Sequence, residues 1–105
     1  MHLHELQIRA LEIAGKYNTV NSAQGNAAWD ASAYMAGFVG DVGDLSKLVM
    51  AKANLRKLDK VDDKIAHELS DCLWSVLVLA KKLDVNLETE FEKTMQLIEK
   101  RIDNG

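Results

Sequence analysis

Not one of the 105 residues is proline. No fixed ring breaks a run of backbone amides, so long helices are free to form. Strand-like alternation is also missing, while apolar residues recur at helical spacing along most of the chain. The expected fold is all-α, a four-helix arrangement.

The elements follow from caps and breaks. Residues 3–15 read as a first helix, with Leu3, Leu6, Ile8, Leu11, Ile13 and Ala14 on its apolar face and Gly15 as its stop. Residues 16–29 are rich in Asn, Ser and Gly and read as a loop. Asp30 or Ser32 can cap a second helix running to about Leu58. Gly37, Gly40 and Gly43 lie inside it, and glycine there costs about 0.5–1 kcal/mol each relative to alanine. Close approach of a ligand or of a second helix would explain them equally well. A charged turn at 59–63 precedes a third helix over 63–83, capped by Asp62 or Asp63. Asn86 should cap a fourth helix over 87–103, with Leu87, Phe91, Met95, Ile98 and Ile102 facing inward.

Length and composition bound the function. A chain of this length makes one domain with a small core. Hydrophobic residues are 48 % and charged residues 28 %, and the net charge is −3. There is no basic footprint for nucleic acid. No apolar run approaches a membrane span, and the first residues do not read as a secretion signal. The expected location is the cytoplasm. The single cysteine, Cys72, sits among Leu69, Leu73 and Val76 and reads as a buried apolar residue.

Two acidic pairs carry the chemistry. Asp41 and Asp44 are three apart on the second helix, and Glu68 and Asp71 are three apart on the third. Residues three apart share a helical face, with Cβ atoms about 5–6 Å apart. Each pair interrupts a largely apolar face, where carboxylates are costly unless paired or metal-bound. Two such helices side by side would form a four-carboxylate site for a hard divalent cation such as Mg2+. His67 adjoins Glu68 but points about 100° away around the helix. It reads as lying outside that site. Each pair alone is weak, because acids three apart are common on solvated helix faces.

The stretch Gly40-Asp41-Val42-Gly43-Asp44-Leu45, followed by Glu68-Leu69-Ser70-Asp71-Cys72-Leu73, resembles the MazG-like all-α nucleoside triphosphate pyrophosphohydrolases. Residues 79–88 and 95–101 resemble the last two helices of that family. Gly40 stands where the family usually has its first acid, as in its dCTP-pyrophosphatase-like branch, and Asp41 and Asp44 replace glutamates. The resemblance implies hydrolysis of a nucleoside triphosphate to the monophosphate and pyrophosphate, dependent on Mg2+ with Mn2+ as the alternative. It implies Asp41, Asp44, Glu68 and Asp71 as metal ligands, with Asp41 or Glu68 orienting the attacking water. Lys47, Lys52, Lys64 and Lys82 are candidates for phosphate contact, and Arg101 matches a basic position near the family's last helix end. Trp29, with Tyr17, could stack on a base. Trp74 reads instead as a packing or subunit-contact residue.

The third helix is apolar on more than one face, and a helix of that kind is normally buried on all sides. A homodimer or homotetramer is therefore expected. The rival from another class is a non-catalytic acidic helical module that binds a partner. A di-iron carboxylate bundle is disfavoured, because no Glu-x-x-His motif occurs.

Overall fold

The computed structural model describes residues 2–54 and 60–105. Four helices run in order: α1 (Leu3–Ala23), α2 (Ala31–Ala53), α3 (Val61–Lys82) and α4 (Leu87–Asp103). No strand occurs among the described residues. The expected end of the second helix at Leu58, and Asp59 of the charged turn, lie outside the described residues.

α1 is 21 residues long, so its expected end at Gly15 and the loop from residue 16 are both corrected. Gly15 sits in ordinary helical geometry, and the Thr19 hydroxyl donates back to its carbonyl at 3.1 Å. Packing carries the helix through its weak Asn, Ser and Thr stretch, as tertiary contacts routinely override propensity. Ala10 and Ala14 are buried, and the Tyr17 ring meets that of Trp74 at 6.0 Å. The true stop is Gly25, whose φ of +79° disfavours side chains. The Asn26 amide donates to Asn21 O at 2.8 Å and the Gly25 amide to Ser22 O at 3.0 Å. These two bonds form a Schellman motif that satisfies the last carbonyls.

The other boundaries rest on local chemistry. Asp30 caps α2 by accepting from the Ala33 amide at 2.9 Å. α3 starts earlier than expected, after Lys60 in the left-handed region at φ +56°, with no side-chain cap. Asp62 and Asp63 therefore cap nothing; they lie in the first turn, where carboxylates complement the helix dipole. α3 ends on a second Schellman motif, with Asp84 left-handed at φ +57° and the Val85 amide donating to Ala80 O at 2.8 Å. Asn86 caps α4 by accepting from the Thr89 amide at 3.2 Å.

α3 is the central element, packing against both α2 and α1. The core is small: Ala10 and Ala14 of α1, Tyr34 of α2, and Leu77 and Val78 of α3. Gln7 donates to Leu77 O at 3.1 Å and Trp74 to Ala10 O at 3.0 Å, fastening α1 to α3. α4 departs from the expected inward packing. It buries no residue, and Phe91, Met95, Ile98 and Ile102 are exposed. Only Leu87, its first residue, packs against the core. The Cα radius of gyration is 16.9 Å, against about 13 Å for a compact chain of this length.

Candidate metal centre

The packed faces of α2 and α3 bring the acidic pairs together, but not as one square of four. Asp41, Asp44 and Glu68 each place one carboxylate oxygen within 4.8 Å of the others. His67, Glu68 and Asp71 form a second set with the same reach. Glu68 belongs to both. His67 therefore lies inside the cluster, with Nε2 3.1 Å from Asp71 Oδ2. Its backbone direction differs from that of Glu68, but its ring reaches forward one turn to the residue four on, its neighbour on the helix surface.

The electrostatics are those of crowded, partly desolvated acids. Burial raises the pKa of Asp41, and Asp71 and Asp44 raise it further while His67 opposes them. Glu68 is raised first by burial and then by Asp41, Asp71 and Asp44. The Cys72 thiol is pushed up by burial and by the same carboxylates, so it stays protonated. It is half-buried rather than buried. Glu68 Oε2 is enclosed and has no hydrogen-bond partner among the described residues. An enclosed, unpaired carboxylate oxygen among other acids is the environment a hard cation relieves. The donor set, carboxylate oxygens with one imidazole, fits a divalent ion.

Beside the acids lies a cleft of about 410 Å3, within the usual range for small-molecule sites. Its walls are Tyr17, Trp29, Tyr34 and Trp74, with Asn21, Gly37 and Ser75, and it opens onto Asp41 and Asp71. Tyr34 is buried, and burial raises its hydroxyl pKa. The Trp29 and Trp74 rings meet its ring edge-on at 5.4 and 5.5 Å. Gly37 lies beneath the Trp29 ring, and a Cβ there would meet it at 3.6 Å, an ordinary contact. A Cβ at Gly40 or Gly43 would meet nothing within 4 Å, so close packing within the protomer does not explain them.

Sequence reasoning missed Tyr34 and Asn21 as cleft residues and took Trp74 for a packing or subunit-contact residue. Trp74 both packs and lines the cleft. The candidate cations are spread out. Lys47 and Lys64 are exposed, Lys52 pairs with Asp62, and Arg101 sits on α4, none of which lines the cleft. Lys82 lies over the Tyr34 ring, its Nζ 5.4 Å from the centroid.

No protein-family model matches the chain, and no solved structure does. The Gene 37 protein of Mycobacterium phage L5 is 35 % identical over 74 residues, 66 % of this chain and 63 % of that protein. The chain thus spans less than two thirds of that relative's length. No helix among the described residues is long and apolar enough to cross a membrane.

Proposed function

We propose that the cleft walled by α1, α2 and α3 is the site of a nucleoside triphosphate pyrophosphohydrolase, dependent on Mg2+ or Mn2+, with a MazG-like helical arrangement. The observation that carries this reading is the meeting of two acidic pairs from two helices beside an aromatic cleft. The sequence resemblance of those pairs supports it. A divalent cation in this cluster, with Asp41, Asp44 and Glu68 as one group of ligands and Asp71 beside Glu68, would offset phosphate charge and acidify a water. Trp29 and Tyr17 offer faces for a base, and stacking of this kind is worth about 1–3 kcal/mol. Asp41 or Glu68 orients water toward the α-phosphorus and accepts its proton. The new bond joins water oxygen to α-phosphorus. The bond from α-phosphorus to the α–β bridging oxygen breaks, and pyrophosphate leaves with that oxygen. Lys82 stands over a cleft-lining ring, placed to meet a phosphate as a point charge.

A panel of common and modified nucleoside triphosphates with Mg2+, reading pyrophosphate release, tests this. Monophosphate and pyrophosphate in equal amounts support it. Release of inorganic phosphate alone, or no turnover with any of them, would sink it.

A second reading has one observation in its favour. The apolar stripe of α4 beyond Leu87 is open, as a non-catalytic helical module that binds a partner requires. Within the catalytic reading, the same stripe and the exposed Met35, Val39, Leu69 and Leu73 are where a second copy packs, in a homodimer or a pair of dimers. Sedimentation at low micromolar concentration separates the two: an active dimer or tetramer supports self-association, and an inactive monomer favours the module.

A further inference from the structure

Ser75 is only 2 % exposed, and it lines the aromatic cleft. Tyr34 lines the same cleft and is 1 % exposed. Neither hydroxyl makes a hydrogen bond with another described residue, whereas the Ser70 hydroxyl donates back to Ala66 O at 2.8 Å. A helical serine often bonds back in that way, and a buried phenol normally finds a partner. Enclosure is complete for Asn18 Oδ1 and Glu68 Oε2 but not for these two oxygens, so each keeps open surface on the cleft it lines. Buried hydroxyls without partners are costly to keep, and a ligand that bonds them removes the cost.

Their depth decides which part of a ligand they meet. The Asp71 side chain, one turn before Ser75, is 39 % exposed. The acids thus hold the open end of the cleft and the hydroxyls its buried end. A triphosphate drawn to the acids through a cation leaves its base pointing inward, among the rings. We infer that Ser75 and Tyr34 are specificity-determining residues that hydrogen-bond the polar edge of that base, taking an amino or an oxo substituent alike and rejecting a ring that carries neither; this rests on the nucleoside triphosphate reading of the site. A hydroxyl has one donor and two acceptor lone pairs and rotates to suit, so neither residue is fixed in one role. Burial raises the Tyr34 hydroxyl pKa, so the phenol keeps its donor. Asn21, half-buried in the same cleft, adds a donor and an acceptor from one amide. Stacking on the rings holds a base but separates one base from another poorly, so the edge contacts carry the choice. A bland role competes with this one. A serine kept only as a small packing residue would have no effect on binding.

The test is titration calorimetry of the full chain with Mg2+ and non-hydrolysable α,β-imido nucleoside triphosphates. One series carries cytosine, uracil and unsubstituted 2-pyrimidinone; the other carries adenine, hypoxanthine and unsubstituted purine. The series that binds more tightly decides. Within it the amino and oxo members should bind within about fivefold of each other, and the unsubstituted ring at least about tenfold more weakly, since it leaves buried hydroxyls unpaired. Ser75→Ala and Tyr34→Phe each remove one oxygen. Each should weaken the amino and oxo members at least about fivefold and the unsubstituted ring by less than about twofold. Without ligand each variant should melt no lower than the native chain, because an unpaired buried hydroxyl is gone. A merely structural hydroxyl would do the reverse, lowering the melting point and leaving affinity alone. Equal affinity for all three rings, an amino–oxo preference beyond about fivefold, or variants that bind as the native chain does would each overturn the inference. Pyrophosphate release from the parent triphosphates would then leave the hydrolase standing. Edge-selective binding without pyrophosphate release supports the contacts and removes the hydrolase. No binding of any analogue overturns both.

Discussion

α3 and α4 are helices of 22 and 17 residues, each with an apolar stripe and a charged one. α3 is covered on two sides and buries Ser75, Leu77, Val78 and Ala80. α4 has a cap at its N-terminus, acids in its first turn, bases in its last, and nothing buried. Capping and dipole complementarity fix where a helix begins and ends, which is local chemistry. Coverage depends on a partner, and the stripe states only that one is needed. Of this pair of helices it is the covered one that carries functional acids, Glu68 and Asp71, facing Asp41 and Asp44 of α2.

The sharpest way to break that contrast is to neutralise one acid on each helix. Glu68→Gln or Asp71→Asn should lower turnover at least about a hundredfold while leaving the helical signal intact, since each removes a charge and little volume. Glu92→Gln on α4 should leave turnover unchanged. Near-native activity in either α3 variant would remove the assigned ligands.

The next largest effect concerns coverage itself. Leu77→Ala, in the core, should cost about 2–5 kcal/mol in chemical denaturation. Ile102→Ala, at 73 % exposure, should stay within about 0.5 kcal/mol for an isolated protomer. A cost for Ile102→Ala that grows with protein concentration would show that α4 is covered by another copy.

A third test uses protons. The carboxyls of Asp41 and Glu68 are both raised, chiefly by burial and then by neighbouring acids. The folded state therefore holds protons that the unfolded chain has already released, and stability falls as pH rises from the ordinary carboxylate range through the raised values. Metal-free protein should melt higher at about pH 5 than at about pH 7.5. Saturating Mg2+ should raise the neutral-pH melting point and shrink that gap, because it binds the folded, deprotonated site. A melting point that climbs with pH in the metal-free protein would contradict the crowding.

The smallest effect lies where the two helices join. Asp84 holds a left-handed conformation at the end of α3. Asp84→Gly should stabilise the fold by about 0.5–1 kcal/mol in thermal melts, because glycine adopts that geometry freely. A loss of stability would mean that the carboxylate is needed there.

Much of this was legible in the residues. Asn86 and the stripe of α4 gave that helix its limits, and Asp30 or Ser32 bracketed the start of α2, where Asp30 is the cap, because a side chain accepting a backbone amide is a local event. The acidic pairs were legible from their spacing. α1 was misread because its second half is rich in poor helix formers, and only the rings of Tyr17 and Trp74 across the helix interface reveal why it stays helical. Gly15 and Gly25 are the same letter; which of them turns left-handed depends on what the next turn packs against. His67 was missed because the angle between helix positions describes where a side chain leaves the backbone, while a flexible ring reaches the next turn. The cleft wall was only partly visible, since Tyr34 and Trp74 are 40 positions apart in sequence.

The cleft has one more consequence, and it is optical. The chain contains two tryptophans, and both line this one cavity, each meeting the Tyr34 ring. All of the indole emission of the molecule therefore originates within one ligand's width of Asp41 and Asp71. The native chain carries its own occupancy gauge: whatever enters the cleft changes the whole fluorescence signal, with no label attached.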